Sequence, residues 1–219
     1  VLDPSAESCA AQVCDHIVGD FDDFQALYKL AQASDVVTYE FENVPVESAR
    51  WLAERVPVFP PPRALEVSQD RLVEKDFIKR LGIGTADYAD VPSVEALRAA
   101  IARIGLPAVI KTRRFGYDGK GQAIIREGDD LDQIWEDLGT KSAILEAFIP
   151  FEREISVIAA RSADGEVECY DVTENEHRDH ILKISRAPAA ISDAVAAEAR
   201  AVAEKIATAM AARFVGVAA

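Results

Sequence analysis

A chain of 219 residues with 38 acidic against 24 basic side chains has a formal charge of −14, which repels phosphate backbones and argues against a nucleic-acid-binding surface. Its 49% hydrophobic and 28% charged content is that of a globular protein with room for one large domain or two small ones. No apolar run approaches the ~20 residues of a membrane span, and the opening VLDPSAESCA lacks the basic start and apolar stretch of a signal peptide.

The first sixty residues alternate between helical and strand periodicity. The spacing of Phe24, Leu27, Leu30 and Ala31 predicts a helix within 21–34, followed by a β-rich run, DVVTYEF (35–41). VPVESARWLAER (44–55) reads as a helix with Pro45 in its first turn, and VPVFP (56–60) as a strand. Such β-α-β-α order predicts a parallel sheet with crossover helices.

The prolines at 60–62 mark an expected boundary. Beyond it, SQDRLVEKDFIKRLG (68–82) reads as a helix capped by Ser68, closed by Gly82 and striped by Val73, Phe77 and Leu81. PSVEALRAAIARIG (92–105) repeats the design, with Ser93 as cap, Leu97, Ile101 and Ile104 inward and Gly105 at the end.

Strand-like runs then dominate, at 106–112, 122–127, 142–149, 153–162, 167–172 and 180–187, with an Asp-Gly turn signal at 163–166. A long Ala-rich helix is expected over 192–214, with Val195, Val202, Ile206 and Met210 along one side. VLDP and VGVAA look like interrupted strands, so the chain reads as part of a longer polypeptide.

Cys9, Cys14 and Cys169 are odd in number and lack CxxC spacing, which suits a reducing, cytoplasmic setting better than a disulfide framework. His16, His177 and His180 do not join them at zinc-finger spacing.

Chemistry concentrates in KTRRFGYDGKGQ (111–122), where four cations and three glycines stand against the acidic background. Lys111 ends a strand and offers a point charge for phosphate. Gly116, Gly119 and Gly121 leave backbone N–H groups free to wrap phosphate oxygens. Neither GxxxxGK[ST] nor a strand-to-helix GxGxxG is present, and an ordinary Gly- and Lys-rich hairpin turn is the bland alternative.

Two further clusters stand out. In ILEAFIPFEREIS (144–156), Glu146 and Glu154 bracket AFIPF. Those carboxylates suit an adenine amino group and ribose hydroxyls, the alternative being solvated glutamates around a core stretch. TENEHRDHILK (173–183) mixes Asn175, His177 and His180 with acids, an arrangement equally compatible with structural histidines.

TYEFENVP (38–45), QDRLVEK (69–75), KTRRFGYDGKGQ, ILEAFIPFEREISV (144–157) and TENEHRDHIL (173–182) together resemble, in order and separation, the 5-(carboxyamino)imidazole ribonucleotide synthases, ATP-grasp ligases of purine biosynthesis. The resemblance implies an α/β fold, α+β in its second part: a truncated Rossmann-like pre-ATP-grasp domain followed by an ATP-grasp domain. Its expected divisions are 1–62, a connector 63–90, a small subdomain 91–141 with the glycine-rich loop, and the start of the large subdomain at 142–219.

It further implies that Lys111, Gly116, Tyr117, Asp118, Gly119, Lys120, Gly121 and Gln122 hold the ATP phosphates, with Arg71 a second nucleotide contact. Glu146, Ala147, Phe148 and Ile149 would read the adenine, with Glu154 and His177 completing the nucleotide pocket. Tyr117 and Asp118 would meet aminoimidazole ribonucleotide, and Glu40 or Glu42 would border it. ATP would phosphorylate bicarbonate, and the carboxyphosphate would carboxylate the amine. Mg²⁺ is an expected cofactor whose acidic ligands lie beyond Ala219; a cytoplasmic homodimer is the expected state. The alternatives are a neighbouring ligase, such as formate-dependent glycinamide ribonucleotide transformylase or biotin carboxylase, and a non-catalytic nucleotide-binding module.

Overall fold

The structure is a computed structural model, and it describes residues 1–116, 120–162, 164–178 and 181–210. In the amino-terminal part, β1 (Leu2–Asp3) and β2 (Ile17–Val18) pair in parallel. Helices α1 (Phe24–Gln32) and α2 (Val46–Ala53) follow, and Val37 bridges Val58 in the same parallel sense. The expected alternation is therefore present in reduced form, with the runs at 35–41 and 56–60 contributing one bridge in place of full strands. Leu27, Ala31, Val37, Leu52, Val56 and Val58 form the buried cluster of this unit. Phe24 departs from its expected inward position. At the first position of α1 it is 48% exposed, resting against the Trp51 ring with centroids 5.5 Å apart.

A helix begins at the end of the proline run. Pro62 opens a further helix, α3 (Pro62–Ser68), in a position where its missing N–H leaves no intrahelical bond unmade. Ser68 consequently ends α3 instead of capping the next helix. The cap of α4 (Arg71–Arg80) is Asp70, whose carboxylate accepts from the amides of Leu72 and Val73. Val73, Phe77 and Leu81 pack as their spacing predicts, against Val67.

The second part rests on an antiparallel sheet. Its elements in chain order are β3 (Tyr88–Val91), α5 (Val94–Ile104), β4 (Ala108–Thr112), β5 (Gln122–Ile125), α6 (Leu131–Leu138) and β6 (Ala143–Ala147). The strand order is β3-β6-β4-β5. β3 and α6 have no counterpart in the sequence reading, since each is short and flanked by charged residues that dilute its periodicity. β6 pairs with β4 and β3, so the sheet carries across the division expected at 141/142. Ser93 caps α5 through the Ala96 amide, and Gly105 terminates it at φ 89°, both as expected.

Strand alternation sorts this sheet into two faces. Ala108, Ile110, Ala143 and Leu145 join Val91, Leu97 and Ile125 in a core covered by α5 and α6. Val109, Lys111, Ile144 and Glu146 therefore emerge on the other face.

The remaining elements are β7 (Glu154–Ser156), β8 (Ala159–Arg161), β9 (Val167–Cys169), β10 (Thr173–Arg178), β11 (Ile181–Arg186) and α7 (Asp193–Met210). β11-β10-β7 is a three-stranded antiparallel sheet, and β8-β9 is a hairpin. α7 ties the parts together. Its Ile206 packs with Val67 and Phe77, while Ala203 packs with Val157, Ala159 and Val172. The interrupted strand expected at 215–219 lies outside the described residues. No described helix is long and apolar enough to cross a membrane.

Asp70 carries two duties, helix cap and ion-pair partner. Burial pushes its carboxyl up, but Arg113 and the Leu72 and Val73 amides outweigh that, holding it below the ordinary carboxylate range. Folding thus favours the ionised form. Its contribution is present above the ordinary value of about 3.9 and is lost as pH falls through the lower folded value. Asp70→Asn should cost about 1–2 kcal/mol at neutral pH, and the gap from the parent should narrow in urea titrations run below about pH 3.9. A gap independent of pH would remove the ion pair from this account.

Candidate nucleotide site

The hairpin between β4 and β5 is rooted in three consecutive residues at the α3–α4 junction. Arg113 forks onto Asp70, Nε to Oδ1 at 3.0 Å and Nη2 to Oδ2 at 2.7 Å, and reaches Asp90 at 3.2 Å through Nη1. Arg71 donates its backbone N–H to the Arg113 carbonyl at 3.0 Å. Its guanidinium donates to the carbonyls of Thr112 (3.2 Å) and Gly116 (3.3 Å). Gln69 completes the clasp by accepting from Arg114 at 2.5 Å. Of the four cations that the sequence sets in this segment, two are thus spent on the protein itself. Arg71, expected as a nucleotide contact, is here the support of the loop's carbonyls.

Lys111 and Glu146 come together on the sheet face opposite α5 and α6. The register places Val109 opposite Glu146 and Lys111 opposite Ile144, so the two charged residues are diagonal neighbours on adjacent strands. Lys111 Nζ lies 3.1 Å from Glu146 Oε2, and Lys75 Nζ lies 3.2 Å from the same oxygen. Gln122 is the direct partner of Lys111 on β5. Glu146 is 7% exposed, so the expectation of a solvated strand-end glutamate does not hold. A buried carboxylate demands such partners. Lys75 was not singled out by sequence reading, although it sits four residues after Arg71 and so on the same face of α4.

The segment after Glu146 also reverses the core alternative. Phe148, Ile149 and Phe151 are 40%, 51% and 61% exposed. The amides of Ala147 and Phe148 donate to the carbonyls of Asp87 (2.8 Å) and Pro107 (3.3 Å). On the other sheet, Glu154 and His177 meet, with His177 Nδ1 2.7 Å from Glu154 Oε2. Asn175 is the direct cross-strand partner of Glu154 and donates to Ser156 Oγ at 2.9 Å.

Glu40 and Glu42 are both exposed. Glu40 lines a cavity of about 520 Å³ in the first unit with Tyr39 and Phe41, whereas Glu42 gives its carbonyl to Gln69. Tyr117, Asp118, Gly119 and His180 lie outside the described residues. Among the described residues no group of three or more His, Cys, Asp or Glu side chains is arranged to hold a metal ion, so they offer Mg²⁺ no ligand set.

Gly116 and Gly121 share one neighbour, Thr112. A Cβ on Gly116 would sit 3.0 Å from Thr112 Oγ1 and 3.2 Å from the Arg71 guanidinium nitrogens. Gly121 adopts φ 70°, and a Cβ there would come within 2.7 Å of Thr112 Oγ1 and 3.0 Å of its Cγ2. Thr112 therefore fills the floor of the loop, its buried Oγ1 without a hydrogen-bond partner among the described residues. Gly121→Ala should lose about 1–2 kcal/mol for the left-handed backbone and more for the clash. Adding Thr112→Ala should return the clash component alone, as read from denaturant midpoints. Failure of the second substitution to recover anything would mean that Thr112 does not set the glycine requirement.

Comparison with known proteins agrees with this layout. The ATP-grasp domain model matches residues 76–219, and the ribonucleotide synthetase preATP-grasp domain model matches residues 1–69. The N5-carboxyaminoimidazole ribonucleotide synthase of Brucella melitensis is 49% identical over 209 residues, which is 94% of this chain and 58% of that protein. The crystal structure of an N5-carboxyaminoimidazole ribonucleotide synthetase in complex with ADP superimposes with a TM-score of 0.89 at 40% identity, covering 94% of this chain and 55% of the other. An Aspergillus clavatus synthase solved with ADP and 5-aminoimidazole ribonucleotide gives 0.82 at 27% identity, covering 95% and 54%. The chain thus spans little more than half the length of these relatives, and it belongs to the ATP-grasp family, with the preATP-grasp domain of the ribonucleotide synthetases ahead of it and N5-carboxyaminoimidazole ribonucleotide synthases among its relatives.

Proposed function

We propose that the chain is the nucleotide-binding portion of an enzyme that carboxylates 5-aminoimidazole ribonucleotide at the expense of ATP. One observation carries the reading: a lysine and a buried glutamate are paired across two strands at the root of a glycine hairpin, on the sheet face opposite α5 and α6. In this reading Lys111 and the backbone of Gly116 to Gln122 hold the phosphates, with Lys120 adding charge over them. Glu146 and the backbone of Ala147, Phe148 and Ile149 take the adenine edge, and the exposed Phe148 and Ile149 give the base an apolar surface. Glu154 and His177 take the ribose side. The ADP and ADP–aminoimidazole ribonucleotide complexes of the relatives support both ligands.

The reaction proceeds in two transfers. A bicarbonate oxygen attacks the γ-phosphorus and ADP leaves, giving carboxyphosphate. The amine nitrogen of aminoimidazole ribonucleotide then takes the carboxyl carbon, phosphate departs and the amine gives up a proton, for which Asp118 is the proposed acceptor. Phosphoryl transfer asks the protein mainly for positioning and charge neutralisation, which a lysine and aligned amides supply. Tyr117 is proposed to orient the imidazole ribonucleotide, with Glu40 or Glu42 at its border. Bicarbonate as co-substrate, Mg²⁺ accompanying ATP, a homodimer and a cytoplasmic setting belong to the same reading through the family. Because the described residues offer the metal no ligand set, none of these steps is assigned to it.

In the full-length protein, Lys111→Ala should weaken ADP binding by about 1.5–3 kcal/mol, or roughly 10–150-fold, in calorimetry. Unchanged affinity would overturn the loop assignment. ATP turnover in bicarbonate should be stimulated by aminoimidazole ribonucleotide. Stimulation only by glycinamide ribonucleotide with formate, or only by biotin, would transfer the chain to a neighbouring activity.

A further inference from the structure

The junction residue Gln69 has no duty in the nucleotide reading, yet its side chain joins three separate segments. It is 7% exposed. Its Nε2 donates to the carbonyls of Glu42 at 2.7 Å and Val44 at 2.6 Å, and its Oε1 accepts from Arg114 at 2.5 Å. All three bonds run to partners at least 25 residues away in sequence, so the amide contributes nothing to local helix structure. A buried amide with both ends engaged in this way enforces a single geometry, since loss of either partner leaves a desolvated group unpaired.

What Gln69 holds on its Arg114 side is under tension. Phe115, next along the chain, has φ 61° in the left-handed region and a 68% exposed side chain. A bulky residue persists there only where its surroundings over-determine it. The pins lie on both sides: Arg113 is forked onto Asp70, Arg114 is held by Gln69, and the Gly116 carbonyl is held by Arg71. The entry to the glycine loop is thus fixed from the junction, and the same junction residue fixes the 42–44 loop of the first unit.

We propose that Gln69 is a positioning residue that couples the two ligand sites, so that nucleotide held by the glycine loop and ribonucleotide held beside the 42–44 loop each improve the other's binding. This rests on the functional reading above, which places the second substrate at Glu40 or Glu42. Gln69→Glu separates the two halves of the link: a carboxylate still accepts from Arg114 but cannot donate to the carbonyls of Glu42 and Val44. Gln69→Met removes both. Arg114→Met, at an exposed side chain, breaks the link from the loop side with little risk to folding.

The test is ADP affinity of the full-length protein with and without saturating aminoimidazole ribonucleotide, by calorimetry. The parent should bind ADP about 5–150-fold more tightly in its presence, the span typical of coupled sites. The ratio should fall to within about twofold of unity in Gln69→Glu, Gln69→Met and Arg114→Met. Gln69→Glu should bind ADP alone as the parent does, and pairing Gln69→Met with Arg114→Met should add nothing to either single loss. A parent ratio near unity, additive losses, or a parental ratio in the variants with only a lowered melting temperature would each overturn the coupling. Absence of any aminoimidazole ribonucleotide binding to the parent would instead overturn the substrate reading, and the coupling with it.

Discussion

The bidentate pair between Arg113 and Asp70 is the interaction on which the rest of the site depends. Arg113 follows directly on β4, and Asp70 is the cap of α4, so the fork joins the root of the glycine hairpin to the start of a helix with both carboxylate oxygens engaged. The pair is only partly exposed, with side-chain accessibilities of 22% and 15%, so solvent competes weakly for it. Once it is in place, the backbone of Arg71 reaches the Arg113 carbonyl, the Arg71 guanidinium reaches two further carbonyls, and Gln69 meets Arg114. Three consecutive side chains thereby hold a loop that glycine alone would leave loose.

The charge pattern follows from this arrangement. A segment with four cations invites the reading that all of them await phosphate, yet Arg113 and Arg114 are consumed in anchoring and Lys111 is paired with a buried carboxylate. The positive charge at the loop's root is thus structural. Glu146 shows the converse. An acid in the face of a sheet would be expensive alone, but two ammonium groups share one of its oxygens, so a carboxylate and two lysines form a compact charged cluster. A nucleotide offers the complementary chemistry: an exocyclic amine for the acid and phosphate oxygens for the ammonium.

Local signals were read correctly where one segment decides the outcome. Ser93 and Gly105 bound their helix because a cap needs only its own first turn and a terminating glycine only its own dihedral angle. Ser68 misled for the same reason: it is a competent cap by type, and Asp70 prevails because a residue 43 positions away also binds it. The apolar stretch AFIPF reads as core by composition but stands exposed, since its strand has ended and the chain has left the covered part of the sheet.

The sequence by itself determined the β-α alternation of the first unit, the Ser93 and Gly105 ends of one helix, the glycine hairpin after a lysine-ended strand, and a set of motifs sufficient to recognise the family. Those features depend on residues close together in the chain, where periodicity and backbone preference act directly. Only the tertiary structure decided that Glu146 lies beside both Lys111 and Lys75, that Thr112 dictates glycine at 121, and that Gln69 bridges two loops. Each of these is a contact made across strands or between units, fixed by sheet register and packing, and no local pattern carries that information.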